Sequence, residues 1–200
     1  MARWLTRLRE RCKTCARVTL VTGTTLVALV VGGLLMAAGA AGLAWTNTES
    51  FCIGCHEMRD NVYQEYKGSI HDTNRSGVRA VCSDCHVPRA PGPMLIRKVQ
   101  ASMEVWGKLT GKIDTREKFL ARRYEMAKRE WTRMKKTDSL ECRNCHHADA
   151  MSNELQSERA KTRHDKARAE GITCIDCHFG IAHQEPEGGP GPQELQVGQR

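Results

Sequence analysis

One five-residue pattern, C-x-x-C-H, constrains this chain more than any other feature, because it occurs four times in 200 residues. The copies are Cys52, Cys55 and His56; Cys82, Cys85 and His86; Cys142, Cys145 and His146; and Cys174, Cys177 and His178. A shuffled chain with ten Cys and eight His would hold about 0.02 copies. Chance therefore does not account for the spacing. Two thiols three residues apart can add across the vinyl groups of a haem, and the imidazole that follows is then placed to hold the iron from one side. Zinc would accept the C-x-x-C pairs but gives no reason for His to follow the second Cys every time. Four covalently bound c-type haems are expected, which use eight of the ten cysteines. The other two, Cys12 and Cys15, form a C-x-x-C with Ala16 in the histidine position, so they are read as plain thiols and not as a fifth site.

Between Arg17 and Glu49 the chain has no ionisable side chain. The apolar stretch 18–45 is about twice the length of a signal-peptide core and exceeds the roughly 20 residues that cross a bilayer, so a retained transmembrane helix is expected there. Its Gly32, Gly33, Gly39 and Gly42 give a smooth face of the kind that a homodimer or a larger complex would pack against. Arg3, Arg7, Arg9, Arg11, Lys13 and Arg17 precede the span, opposed only by Glu10, which keeps the N-terminus cytoplasmic. Everything after Trp45 is then outside, where c-type haem is attached. The net charge of +8 is partly this cluster, and no basic-aromatic pattern accompanies it, so no nucleic-acid partner is expected.

The expected organisation is a cytoplasmic terminus (1–17), a transmembrane helix (18–45), a haem domain (46–184) and a disordered tail rich in Gly and Pro (185–200). Aromatic residues are 5% of the chain and charged residues 27%, too little core material for side chains alone to hold the exported part together. The expected fold class is mainly α, a small helix-and-loop domain wrapped around its cofactors without appreciable sheet. Motif offsets of 30 residues (Cys52 to Cys82) and 32 (Cys142 to Cys174) suggest a duplicated two-haem unit. Between the halves, Met94–Leu109 places Leu95, Val99, Met103 and Trp106 on one stripe, after the breaker Pro91-Gly92-Pro93. A second helix is expected to open at Asp114 as N-cap with Glu117 three residues on, and its stripe is Leu120, Tyr124, Ala127, Trp131 and Met134. Both stripes are expected to pack against haem or protein, and the many Lys and Arg of the second helix to form a solvated face.

A low-spin haem needs a second axial ligand. Outside the motifs the chain holds only His71, His147, His164 and His183. His71 lies eleven residues before Cys82 and His164 ten before Cys174, and His183 follows His178 by five, so these three are the expected distal ligands. His147 adjoins His146 and points elsewhere, which leaves it spare. The remaining iron, at the first motif, has Met58 nearby.

With these features the chain resembles the NapC/NirT/NrfH family of membrane-anchored tetrahaem cytochromes c. The likeness rests on the single N-terminal anchor, the motif spacing, "CIGCHEM" (Cys52 to Met58), "SIHDTNRSGVRAVCSDCHVP" (Ser69 to Pro88) and "GITCIDCHFGIAH" (Gly171 to His183), and it is greatest to the NapC and NirT branch. The resemblance implies a quinol dehydrogenase of the bacterial inner membrane, single-pass, with its haem domain periplasmic. Its substrate would be the membrane quinol pool. Its electron acceptor would be a periplasmic terminal reductase, such as nitrate reductase, or that enzyme's cytochrome subunit. In the NrfH branch a Met of C-x-x-C-H-x-M holds the first haem, so His56 and Met58 compete for that iron. Where family members carry a His after the second motif, this chain has Arg89. The resemblance also places a Lys and an acid of the quinol pocket on the helix from Met94, which offers Lys98 and Glu104.

Quinol oxidation releases two electrons and two protons, so the site needs a proton acceptor and a donor to the ring oxygens. Cys52 follows Trp45 by seven residues, which keeps the first motif near the membrane and makes it the electron entry. Two rival readings remain. One is an electron wire, or an NrfH-like partner of a nitrite reductase, without quinol oxidation of its own. The other is a sensor or haem-handling protein, for which four haems are excessive.

Overall fold

The computed structural model describes the backbone of residues 2–195 and the side chains of residues 19–195. The basic cluster ahead of the span and the Cys12/Cys15 pair lie outside the described side chains, as do the last five residues of the expected tail. Two compact units are formed, 1–46 and 47–200.

The first unit is one helix, α1 (Ala2–Trp45). Its apolar part, Thr19–Trp45, is 27 residues long, about 40 Å at 1.5 Å per residue, which is more than the hydrocarbon thickness of about 30 Å. The hydroxyls that could disfavour such a setting are satisfied within the helix. Thr24 donates to Leu20 O at 3.0 Å and Thr25 to Val21 O at 2.8 Å.

The second unit runs α2 (Glu49–Cys52), a π-helical turn (Met58–Val62), α3 (Tyr63–Tyr66), α4 (Cys82–His86), α5 (Pro91–Leu109), α6 (Arg116–Lys136), α7 (Leu140–Arg143) and α8 (Glu158–Glu170), with 3-10 turns between and after them. Among the described residues there is no strand, so the chain is mainly α. Among the described residues the buried hydrophobic core side chains are Tyr66, Phe119, Trp131, Met134 and Ile175. Trp131, Met134 and Ile175 form a cluster of buried core, flanked by Tyr124, Ala127, Phe179 and Leu195. The stripe expected on α6 is therefore largely the packed one, except that Leu120 is exposed and its neighbour Phe119 is buried instead. The cap also differs: Thr115, not Asp114, accepts the Lys118 N–H at 3.3 Å, while Asp114 pairs with the Lys118 side chain at 2.7 Å.

The basic residues of α6 are not simply a solvated face. Arg116, Arg123 and Glu130 recur every seven residues, which sets them on one side of the helix. Arg116 donates to Asn61 Oδ1 at 2.7 Å. Arg123 forms a fork onto Glu65 and donates to Gln184 O at 2.8 Å. Arg133 reaches the Cys85 carbonyl at 3.1 Å and pairs with buried Glu141. Lys135 pairs with Asp176 at 2.7 Å. With so little apolar core, these charge-assisted bonds fix the loops that carry the motifs.

Within the expected disordered tail, the residues described make specific contacts. Lys135 Nζ donates to Pro192 O at 2.7 Å and Leu195 O at 2.8 Å, and the Tyr124 hydroxyl donates to Pro190 O at 3.1 Å. The glycines that suggested disorder permit close approach instead: a Cβ on Gly189 would run into the Tyr124 ring.

Helix α5 is amphipathic in the reverse sense. Leu95, Ile96, Val99, Met103, Trp106 and Leu109 are each 50–72% exposed, whereas Arg97, Lys98 and Lys108 are on the half-buried side. Of the two partners expected for this stripe, haem or protein, it is not packed against protein among the described residues.

Candidate haem-binding and quinol site

The second, third and fourth motifs are wound into helical turns, which brings residues at i, i+3 and i+4 to one side. In the third motif His146 N donates to Cys142 O at 2.8 Å, and in the fourth His178 N donates to Cys174 O at 2.9 Å. The second and fourth motifs share an acidic brace. Asp84 accepts the Val81 N–H at 2.9 Å, and Asp176 accepts the Thr173 N–H and hydroxyl, both at 2.8 Å. Such a carboxylate closes the first turn and presets the C-x-x-C spacing.

The motifs lie in a row. The Cys52 and Cys82 thiols are within hydrogen-bonding reach of each other, and so are those of Cys142 and Cys174. Cys85 lies in the field of Cys145. Arg89 spans this middle junction, reaching Asn144 O at 3.5 Å and Cys145 Sγ at 3.7 Å. Arg89 therefore lies between the second motif and the third.

Six of the histidines face one another in pairs. Ring centres are 6.1 Å apart for His71 and His146, 6.2 Å for His86 and His183, and 6.2 Å for His164 and His178. Two imidazoles bound to opposite sides of one metal at about 2.0 Å, with roughly 1.1 Å more from each nitrogen to its ring centre, would stand about 6.2 Å apart. The pairs fit a six-coordinate haem iron, and each joins one motif histidine to one of His71, His164 and His183. Among the described residues no group of three or more His, Cys, Asp or Glu could hold a lone ion, and no ring pair includes His147.

The surroundings position these rings. Tyr66, buried, donates its hydroxyl to the His71 carbonyl at 3.2 Å and also to Ala80 O. Burial pushes that phenol up to about 12, so it stays a donor. His183 is carried by the segment that Glu65 and Arg123 pin at Gln184, where Gln184 N donates to Glu65 Oε2 at 3.0 Å. His164 Nδ1 bonds Gln156 Oε1 at 2.7 Å and His86 Nδ1 bonds Glu130 Oε1 at 2.9 Å, which leaves Nε2 of each for a metal. Burial, and then the facing motif histidine, lower His71 and bring His183 down to about 4. Both are thus neutral near pH 7, the form that ligates. The pairing cuts across the sequence repeat: His164 faces the motif that follows it, whereas His71 reaches His146 in the other half.

The first motif is built differently. His56 and Met58 are both partly exposed, and Glu57 between them is 3% exposed. The Glu57 carboxylate lies 3.3 Å from His56 Nε2 and 3.3 Å from Lys108 Nζ, without hydrogen-bond alignment to either. Lys98 reaches the Cys52 side of this motif; burial lowers its ammonium pKa, though Cys52 acts in the opposite sense. Glu104 accepts from Arg97 at 3.0 Å and stays 60% exposed, while Lys98 lies in the field of Cys52. The Glu57–Lys108 pair is what reading the α5 stripe missed. A second lysine on α5, Lys108, near the helix end and half-buried like Lys98, was its available signal.

The NapC/NirT cytochrome c family, N-terminal region, matches residues 13–188. The chain is 54% identical to the denitrification system component NirT of Stutzerimonas stutzeri over 166 residues, 83% of each chain. It is 53% identical to the cytochrome c-type protein NapC of Escherichia coli (strain K12) over 169 residues, 84% of each. It is also 47% identical to the cytochrome c-type protein TorY of Escherichia coli O157:H7, over 81% of this chain and 44% of that one. No solved structure matches. Paired histidines beside helical C-x-x-C-H turns, together with this similarity along most of its length, make the chain a member of the NapC/NirT cytochrome c family, electron-transfer cytochromes of respiratory chains.

Proposed function

We propose that this chain is a membrane-anchored tetrahaem quinol dehydrogenase. It takes electrons from the quinol pool of a bacterial inner membrane and delivers them to a periplasmic terminal reductase, of which nitrate reductase is the nearest case by resemblance. The observation that carries this reading is the set of three histidine pairs at 6.1–6.2 Å, set along a continuous row of motifs. Cys52/Cys55, Cys82/Cys85, Cys142/Cys145 and Cys174/Cys177 attach the four haems. His86 with His183, His146 with His71 and His178 with His164 would hold the iron of three of them, and the first motif offers His56 and Met58. When bound, the haems supply one-electron redox chemistry.

The chain's own residues do the rest. A bilayer-facing quinol site fits the reverse amphipathicity of α5, whose apolar face suits lipid and whose polar face looks toward the first motif. Met94 on α5 accepts from Asn47 Nδ2 at 3.6 Å, and Asn47 follows Trp45, the last residue of the span, by only two positions. Lys98, at the first motif, holds a ring oxygen of the quinol. Glu104, exposed and steadied by Arg97, takes a proton toward the periplasm. The relative named as a denitrification component supports a role in nitrogen-oxide respiration.

Two measurements test this. A pyridine haemochrome assay should give four haems per chain, and two or fewer would overturn the cofactor assignment. In membranes the protein should be reduced by a quinol analogue with no other subunit present. Four haems without such reduction would leave the electron-wire reading.

Ligation has its own expected outcome. His71→Ala, His164→Ala and His183→Ala should each turn one low-spin haem high-spin, while His147→Ala should leave the magnetic circular dichroism spectrum unchanged. A new high-spin signal from His147→Ala alone would undo the pairing.

A further inference from the structure

Among the paired histidines, His86 alone has a carboxylate on its outer nitrogen in the described residues. Glu130 Oε1 lies 2.9 Å from His86 Nδ1. A carboxylate can only accept here, so the imidazole N–H donates. The other side-chain contact of this kind is neutral, from His164 Nδ1 to the amide oxygen of Gln156 at 2.7 Å.

Glu130 is held in place as well as present. Arg133 donates to the same oxygen from Nη2 at 2.7 Å and from Nε at 3.1 Å. Arg133 is in turn engaged by buried Glu141 and by the Cys85 carbonyl of the same motif. The cluster of Glu130, Arg133 and Glu141 therefore carries one net negative charge, and Arg97 is the further cation in the field of His86. Burial pushes the Glu130 carboxyl up, but the His86 and Arg133 interactions outweigh it and keep the group ionised.

We infer that Glu130 sets the redox potential of the haem at the second motif, holding it below the value it would have with a neutral partner on His86. A carboxylate that accepts the Nδ1–H draws the proton away from the ring and makes Nε2 a stronger donor. A stronger donor stabilises the ferric over the ferrous iron, and second-shell hydrogen bonding is one of the levers by which a protein sets a haem potential. No group need change protonation for this to work. Gln156, being neutral, gives the haem of His164 and His178 no comparable bias. The chain would thus make two of its bis-histidine haems unequal through one side-chain oxygen, which bears on the direction in which electrons rest along the row.

The inference rests on the haem assignment proposed above, and its test separates the two. The holoprotein is titrated potentiometrically, with haem content measured on the same sample. Glu130→Gln, which keeps shape and an acceptor oxygen but removes the charge, should shift one haem upward by at least tenfold in its reduction equilibrium, about 59 mV for a one-electron couple, with the others nearly unmoved. Gln156→Glu should shift a different haem downward. Full haem content with no shift in either variant overturns the inference while leaving the haem assignment standing. If Glu130→Gln loses haem, an unmoved potential in fully loaded Gln156→Glu overturns it, because the same carboxylate-to-imidazole bond would then be without effect. A wild-type chain lacking haem fails the earlier reading instead.

Discussion

Replacing Cys142 and Cys145 together by Ser should abolish accumulation of the protein, not merely remove one of its haems. The third motif stands at the centre of the row: Cys142 is beside Cys174, and Cys145 lies across the junction from Cys85 where Arg89 is seated. His146 is also the partner of His71, which arrives from the opposite half of the sequence. With so few apolar side chains buried among the described residues, the proposed haems would supply much of the apolar bulk that the domain closes on, which would make binding and folding one equilibrium. Immunoblots and haem-stained gels of membranes measure the outcome. Wild-type amounts of a three-haem protein would show that the thin side-chain core and the α6 clamps suffice alone. Cys12→Ser with Cys15→Ser is the matched control and should leave both amount and haem content unchanged.

Glu104→Gln should slow reduction by a quinol analogue by about 10² or more, the usual scale for losing a positioned acid or base, while reduction by dithionite is untouched. The carboxylate is open to solvent and held by Arg97 at 3.0 Å, so it can release to the aqueous side what it accepts. Lys98→Met should act through binding, raising the apparent KM if the ammonium holds a ring oxygen in ground and transition states alike. Lys128, exposed on α6, is the control, and Lys128→Met should change nothing. Wild-type rates in both Glu104→Gln and Lys98→Met would remove these residues from the quinol site and direct attention to Glu57 and Lys108 at Cys55.

By itself the sequence determined the features that depend on local spacing and local composition. Four C-x-x-C-H runs, an uncharged stretch long enough to cross a bilayer and a shortage of core residues led to the mainly helical fold, and to the expectation that it is built on cofactors behind an anchor. His71, His164 and His183 could be named as candidates because so few histidines lie outside the motifs. Which histidine faces which was decided by tertiary structure, since His71 and His146 are 75 positions apart and only the folded loops bring them together. The same holds for α6, where sequence showed many charges but not that Arg116, Arg123 and Arg133 end on Asn61, Glu65 and Glu141. It holds again for the Gly-Pro tail, because composition reports chain freedom but not the Tyr124 ring that Gly189 lies against. For α5, the 3.6-residue period gave the apolar stripe, but a period has no direction. Only the placement of Lys98 and Lys108 beside the first motif determined that the stripe faces outward.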